Sequence, residues 1–111
     1  MQVIAWAAGA KVEPSGRPVH GMTSSIAHDG RGWLAGLPNP FAGARYHSLH
    51  VVPGSGPPEL EISAWTGDGI IMGCRLRGLA VEGVLFHPAS FLTECGHIVF
   101  RNFIQDGPHV V

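Results

Sequence analysis

The run Gly83-Val84-Leu85-Phe86-His87-Pro88 places the tightest limit on how this chain folds, because an apolar strand closed by His-Pro cannot run on into helix. Proline at 88 biases His87 toward extended backbone, so the imidazole projects from the last residue of a strand rather than from a helix face. Beyond Ser90-Phe91-Leu92-Thr93-Glu94, the segment from Gly96 to Gln105 sets Val99, Phe100, Phe103 and Ile104 against His97, Arg101, Asn102 and Gln105. The pattern predicts strand, His-Pro turn and amphipathic helix, which is the grammar of an α/β fold with its chemistry at a strand end. A single histidine at a strand end is more often structural than catalytic. Its neighbours have to decide.

Elsewhere the chain reads as mostly β with helices at both ends. Gln2 to Ala8 is apolar after Gln2, predicting a short buried helix that Gly9 ends. Extended pieces are predicted near Val12, over Thr23 to Ala27 and over Trp33 to Ala35, with Asp29-Gly30 as a turn and Pro38-Asn39-Pro40-Phe41 as a loop. Arg45 to Val52 and Glu59 to Thr66 read as strands parted by the Pro-Gly-Ser-Gly-Pro-Pro run. Thr66-Gly67-Asp68-Gly69 turns into a strand over Ile70 to Arg77, and Val81 to Phe86 is apolar enough to be covered on both faces.

With 111 residues, one domain is the ceiling, and a net charge of -1 with a single lysine argues against nucleic acid. No apolar stretch approaches the roughly 20 residues that span a bilayer, and the first twelve residues lack a signal-peptide pattern, so the cytoplasm is the expected location. Cys74 and Cys95 have no C-x-x-C spacing and are read as reduced thiols, Cys74 in a strand core. Seven histidines are scattered without ligand spacing, so no metal site and no cofactor are expected. His20 and His47 read as packing or hydrogen-bonding residues.

Around His87 the chain resembles the C-terminal signature of the class I (triad-type) glutamine amidotransferases, Gly-Val-Gln-Phe-His-Pro-Glu-Ser followed by Leu-Thr-Glu and Gly. Val19-His20-Gly21-Met22-Thr23-Ser24 is similar to that family's Val-His-Gly-Lys-Thr-Ser. Gly36-Leu37-Pro38, Arg45-Tyr46-His47-Ser48-Leu49, Asp68-Gly69-Ile70-Ile71-Met72-Gly73 and Arg101-Asn102-Phe103 fall in the family's order. The set resembles one branch in particular, the glutaminase subunits of anthranilate synthase and aminodeoxychorismate synthase. It covers nearly all of the chain but only about the C-terminal half of the family domain.

The resemblance implies an α/β fold, the C-terminal half of a flavodoxin-like amidotransferase domain over residues 1–111, with a mixed sheet, antiparallel hairpins and flanking helices. It implies hydrolysis of L-glutamine and delivery of ammonia to a chorismate-binding synthase subunit, component I. In such a mechanism a cysteine thiolate attacks the glutamine amide carbon and an oxyanion hole holds the intermediate. A histidine then protonates the leaving ammonia and activates water. The resemblance assigns that histidine to His87 and contacts with glutamine to Gln2, Ser48 and Leu49, the last two largely through their backbone.

Two positions depart from the family. The nucleophile lies in a Gly-x-Cys-x-Gly-x-Gln elbow, and Gln2 matches its last residue, which would put the cysteine three residues before Met1. Ala89 stands where the family has the carboxylate that orients the histidine. A methyl group cannot accept a hydrogen bond from imidazole, and losing an orienting carboxylate in comparable triads costs about four orders of magnitude in rate. Met22 for Lys, Leu76 for His, Ala80 for Pro and Leu85 for Gln are smaller departures. The chain by itself is therefore expected to be catalytically silent, either as part of a glutaminase subunit or as a non-catalytic remnant that binds the synthase partner. A fragment of such a domain is also expected to leave the inner side of Gln2 to Ala8 without a partner and to aggregate or stay molten alone.

Overall fold

Val12 to His28 forms one long strand, β1, where separate extended pieces were expected. Its partner β2 (Phe41–Val51) runs antiparallel beside it from Val12↔Val51 to Ile26↔Phe41. The register slips between Pro14 and Val19 and again between His20 and Met22. Prolines at 14 and 18 cannot donate to a ladder, and bulges absorb the mismatch while the strand continues. The computed structural model describes residues 1–79, 81–86, 89 and 93–105, without the side chains of residues 2, 3, 15–22 and 46–48.

Three further strands follow, β3 (Leu60–Thr66), β4 (Ile71–Leu76) and β5 (Val81–Val84), within one or two residues of the predicted limits at most ends. The sheet order is β2-β1-β3-β4-β5. All four strand pairings described are antiparallel, so the hairpins expected from the turn sequences are present and no parallel pair of a mixed sheet lies among the described residues. The Thr66 to Ile70 turn closes by Gly69 N–H to Thr66 O at 3.0 Å, with Gly69 in the left-handed region at φ +87°.

Trp33 to Ala35 is not the predicted strand. Gly32–Leu34 is a 3-10 turn with Trp33 and Leu34 buried. Its backbone groups are claimed by side chains from distant elements, described below, and tertiary hydrogen bonds override the local preference. The loop that follows is tied to β1 through Asn39, whose amide donates to His28 O at 2.8 Å and whose Oδ1 accepts from His28 N–H at 3.1 Å.

Apolar residues fall into two clusters, and the neighbours Ile71 and Met72 of β4 divide between them, while Cys74 falls with Ile71 beyond the register slips that β4 makes against β3 near Ala64. Met72 joins Ile26, Trp33, Leu34, Leu37, Phe41, Leu85, Phe86 and Val99 beneath helix α2 (Gly96–Gln105). Ile71 joins Ile4, Ala5, Ala10, Val51, Leu60 and Cys74 beneath helix α1 (Gln2–Ala7). Each large side chain so buried contributes about 1.5–3 kcal/mol. Helix α1 ends as predicted, with Gly9 at φ +101° and its N–H on Trp6 O at 3.0 Å.

Two expectations about the helices need correction. The inner side of α1 does have a partner, since the helix packs on β2, β4 and β5 and its Ile4 and Ala5 join the cluster of Val51, Leu60 and Ile71; but the helix is not wholly buried, because Trp6 is 71% exposed. On α2 the bounds match the prediction, yet the buried positions are Gly96, Val99 and Asn102. Phe100 and Ile104, assigned to the inner face, are exposed. A spacing of three selects the stripe that meets the 3-10 turn, and Asn102 is kept inside by hydrogen bonds that its hydrophilicity alone does not reveal.

Candidate functional site

The segment containing His87 is entered from β5 and left into α2, and both approaches are anchored to β2. On the entering side Leu85 N–H continues the ladder to Met72 O at 2.7 Å. Phe86, 2% exposed, stacks edge-on against Phe41 at 5.0 Å between ring centroids. On the leaving side Ala44 N–H donates to Thr93 Oγ1 at 2.9 Å. Glu94 pairs with Ala42 in both directions, its N–H on Ala42 O at 2.7 Å and its Oε1 accepting Ala42 N–H at 3.2 Å. Strands β2 and β5 are the two edges of the sheet, so the sheet curls far enough for one edge to approach the end of the other.

His87 itself lies outside the described residues, as do Pro88 and residues 90–92. Ala89 is described and exposed, with no carboxylate at that position. Gln2 is the first residue of α1, its side chain not described. The start of that helix rests on β5 because residue 83 is glycine: a Cβ there would meet Met1 Cα at 2.9 Å and Ile4 Cδ1 at 3.0 Å. The backbone of Gln2 therefore follows directly on a residue seated against the strand that leads to His87.

Ser48 and Leu49 lie on β2, Leu49 opposite Pro14 of β1. Leu49 precedes Val51 by one strand repeat with no register slip between them, so it shares the face on which α1 packs, and it is 41% exposed there. The side chain of Ser48 is not described. Of the four residues assigned by resemblance, the structure thus brings the α1 start and Leu49 to one face of the sheet, and gives no position for the imidazole.

A polar cluster that the sequence reading missed lies beside this region. Arg75 on β4 reaches Asp29, Glu61 at 2.8 Å and Glu82 of β5 at 3.1 Å, and also donates to Arg31 O at 3.0 Å. Glu82 Oε1 accepts Trp33 N–H at 3.1 Å. Burial pushes the Glu82 carboxyl up despite the Trp33 N–H and the guanidinium. Burial would raise Asp29 too, but hydrogen bonds from Arg75 and the Arg31 N–H, with both guanidinium charges, hold it below the ordinary carboxylate range. The Arg75 hydrogen bond, against some desolvation, likewise holds Glu61 low. One signal could have found this cluster: a lone glutamate inside the apolar run Val81 to Phe86 must have a partner if the strand is covered.

The cysteines do not form an alternative centre. Cys74 is in the strand core as expected, 1% exposed, and burial pushes its thiol up to about 11. Cys95 precedes α2 at φ +54°. His28 is buried between a Gly30 N–H on its Nδ1 at 3.0 Å and Pro38 O at 2.9 Å from Nε2, an arrangement that serves the neutral Nε2–H tautomer. No group of three or more His, Cys, Asp or Glu placed to hold a metal occurs among the described residues. The side chains of His20 and His47 are not described.

Comparison with known proteins places this geometry. Over 103 residues the chain is 46% identical to anthranilate synthase component 2 of Mycobacterium tuberculosis, covering 93% of the chain and 44% of that protein. Over 104 residues it is 46% identical to aminodeoxychorismate synthase component 2 of Escherichia coli, covering 94% of the chain and 56% of that protein. The chain thus spans about half the length of these relatives. In fold it resembles the crystal structure of a GMP synthase protein from Thermoplasma acidophilum, with a TM-score of 0.84 and 24% identity, over 94% of this chain and 51% of that one. The family model for class I glutamine amidotransferases matches residues 1–106, and the chain belongs to that family.

Proposed function

We propose that this chain carries part of the glutaminase site of an anthranilate synthase or aminodeoxychorismate synthase subunit, the part that holds the acid/base histidine. The observation that supports it most is the 46% identity to component 2 proteins of both synthases over nearly the whole chain. In this reading His87 protonates the departing ammonia and activates water, while Gln2, Ser48 and Leu49 contact L-glutamine. Ammonia passes to a chorismate-binding component I. The setting is the cytoplasm; no helix among the described residues is long and apolar enough to cross a membrane.

The chain by itself releases no ammonia. Cys74 is buried with its thiol pushed up to about 11, so almost none of it is thiolate near neutrality, and the residue at 89 offers imidazole no acceptor. The exposed methyl of Ala89 also favours a second reading, a non-catalytic remnant that retains only binding to the synthase partner. The two are separated by joining the chain to the cysteine-elbow segment of one of its relatives and measuring ammonia release from glutamine. The glutaminase reading expects activity that is abolished by His87→Ala and raised by up to about four orders of magnitude by Ala89→Glu. No ammonia from the joined Ala89→Glu protein refutes it in favour of the remnant. A steady rate from the unmodified chain alone, lost on His87→Ala, refutes the silence.

A further inference from the structure

We propose that His28 is an acid-sensitive latch: its neutral imidazole closes the neck of the loop from Gly30 to Pro38, and a second proton on the ring opens that loop. His28 is the last residue of β1 and is 4% exposed. Its Nδ1 accepts Gly30 N–H at 3.0 Å and its Nε2 lies 2.9 Å from Pro38 O, so one ring joins the two ends of the loop. The Pro38 carbonyl takes the single proton that a neutral ring carries, and the Gly30 amide needs the bare nitrogen. A proton added at Nδ1 makes that nitrogen a donor facing Gly30 N–H. Two donors then repel where one bond stood, and a ring so deeply covered has little water to turn to. Asn39 fixes the base of the ring, its side chain holding His28 N–H at 3.1 Å and His28 O at 2.8 Å.

One ring matters because the loop is attached to the rest of the fold through side chains. Its own backbone bonds are local, Leu34 N–H to Arg31 O at 3.1 Å, Ala35 N–H to Gly32 O at 3.2 Å and Leu37 N–H to Leu34 O at 3.2 Å. Outward, Glu82 accepts Trp33 N–H at 3.1 Å, Asn102 donates to Trp33 O at 2.9 Å and to Ala35 O at 2.8 Å, and Arg75 donates to Arg31 O at 3.0 Å. The loop delivers Trp33, Leu34 and Leu37 to the cluster beneath α2, so opening its neck loosens core residues as well as surface ones. Charge around the latch is engaged elsewhere. Asp29 is held by Arg75 and the Arg31 N–H, and the Arg31 guanidinium pairs with Glu61 at 3.2 Å. Strand β2 meets the ring with Phe41 edge-on at 5.7 Å between centroids, and β3 sets Ala64 opposite His28. On α2, His97 and Arg101 are exposed. Among the described residues no charged side chain hydrogen-bonds to the imidazole. Glu82, whose carboxyl burial pushes up, is the other titratable group that grips the loop.

The test follows amide exchange of the full chain by NMR at about pH 7.5 and about pH 5.5, across the range in which histidine changes charge, with each rate corrected for its intrinsic pH dependence. Protection of Gly30, Leu34, Ala35 and Leu37 N–H is expected to fall about tenfold or more at the lower pH relative to Leu85 N–H, which the sheet holds through Met72 O. His28→Gln, which keeps a donor for Pro38 O and takes up no proton, is expected to remove that difference. Glu82→Gln, which keeps an acceptor for Trp33 N–H, is expected to retain it. A loop that loses no more protection than Leu85, or a wild-type response in His28→Gln, overturns the latch. Loss of the response in Glu82→Gln assigns the switch to Glu82 and overturns it as well. Should His28→Gln fail to fold, the labelled imidazole nitrogens of the unmodified chain decide. A His28 Nδ1 that is bare at about pH 7.5 and gains its proton over the interval in which the loop amides lose protection supports the latch. A ring already charged at the higher pH, or one that stays neutral while the loop opens, overturns it. These readouts do not depend on glutamine turnover, so failure of the glutaminase assay and failure of the latch are separate results.

Discussion

Replacing Arg75 with methionine should cost the fold about 3 kcal/mol at pH 7. The guanidinium is 11% exposed, and the side chains it serves are Glu82 at 8%, Glu61 at 17% and Asp29 at 22%. Removing one partner of a buried pair costs about 3–5 kcal/mol, because the remaining charge is stranded. Most of that loss falls on Glu82. Glu61 keeps Arg31 and Arg77, each at 3.2 Å, and partly exposed Asp29 can turn to water, so the lower end of the range applies. The dependence on pH gives the sharper check. In the native chain Asp29 and Glu61 have lowered pKa values, so they stabilise above the ordinary carboxylate range and lose that contribution as pH falls through their folded values. Glu82 is raised, so its ionised form burdens the fold at neutral pH and the burden lifts as it protonates. Without Arg75 that burden grows, and the deficit of the variant should narrow between pH 7 and about pH 5. Urea unfolding of both proteins at the two pH values measures it. A loss under about 1 kcal/mol at pH 7, or one equally large at pH 5, would show that the cluster is not a buried charge hub.

Gly83→Val should displace the start of α1 from β5, since even a Cβ there meets Met1 Cα at 2.9 Å, and should cost about 1–3 kcal/mol; an unchanged melting temperature with unchanged Trp6 fluorescence would contradict that close approach. Alkylation with iodoacetamide near pH 8 should label Cys95 well before Cys74, whose thiol is buried and pushed up to about 11. Peptide mass spectrometry reads the order, and equal labelling rates in the folded chain would refute it.

Local order was legible from the residues alone. Gly9 after an apolar run, the Thr66 to Gly69 turn and the spacing from Gly96 to Gln105 each act within a few residues, so the ends of α1, β3, β4 and α2 could be read directly. The ordered motifs from Val19 to Phe103 likewise carried the family, because a resemblance needs only the linear sequence. For the site, motif position alone assigned Gln2, Ser48, Leu49 and His87, and those roles stand as proposals; the structure adds the seat of α1 on Gly83 and the face that Leu49 occupies. What the sequence could not reveal are pairings between residues far apart in it. Arg75 finds Asp29, Glu82 finds Trp33 and Asn102 finds Trp33 and Ala35 only after the sheet has curled. Those contacts turned a predicted strand at Trp33 into a 3-10 turn and moved Asn102 from the outer face of α2 to the inner one. The physical reason is the same in each case: hydrophobic period and turn chemistry act over neighbouring residues, whereas the satisfaction of a buried charge or amide depends on which distant backbone group the fold delivers to it.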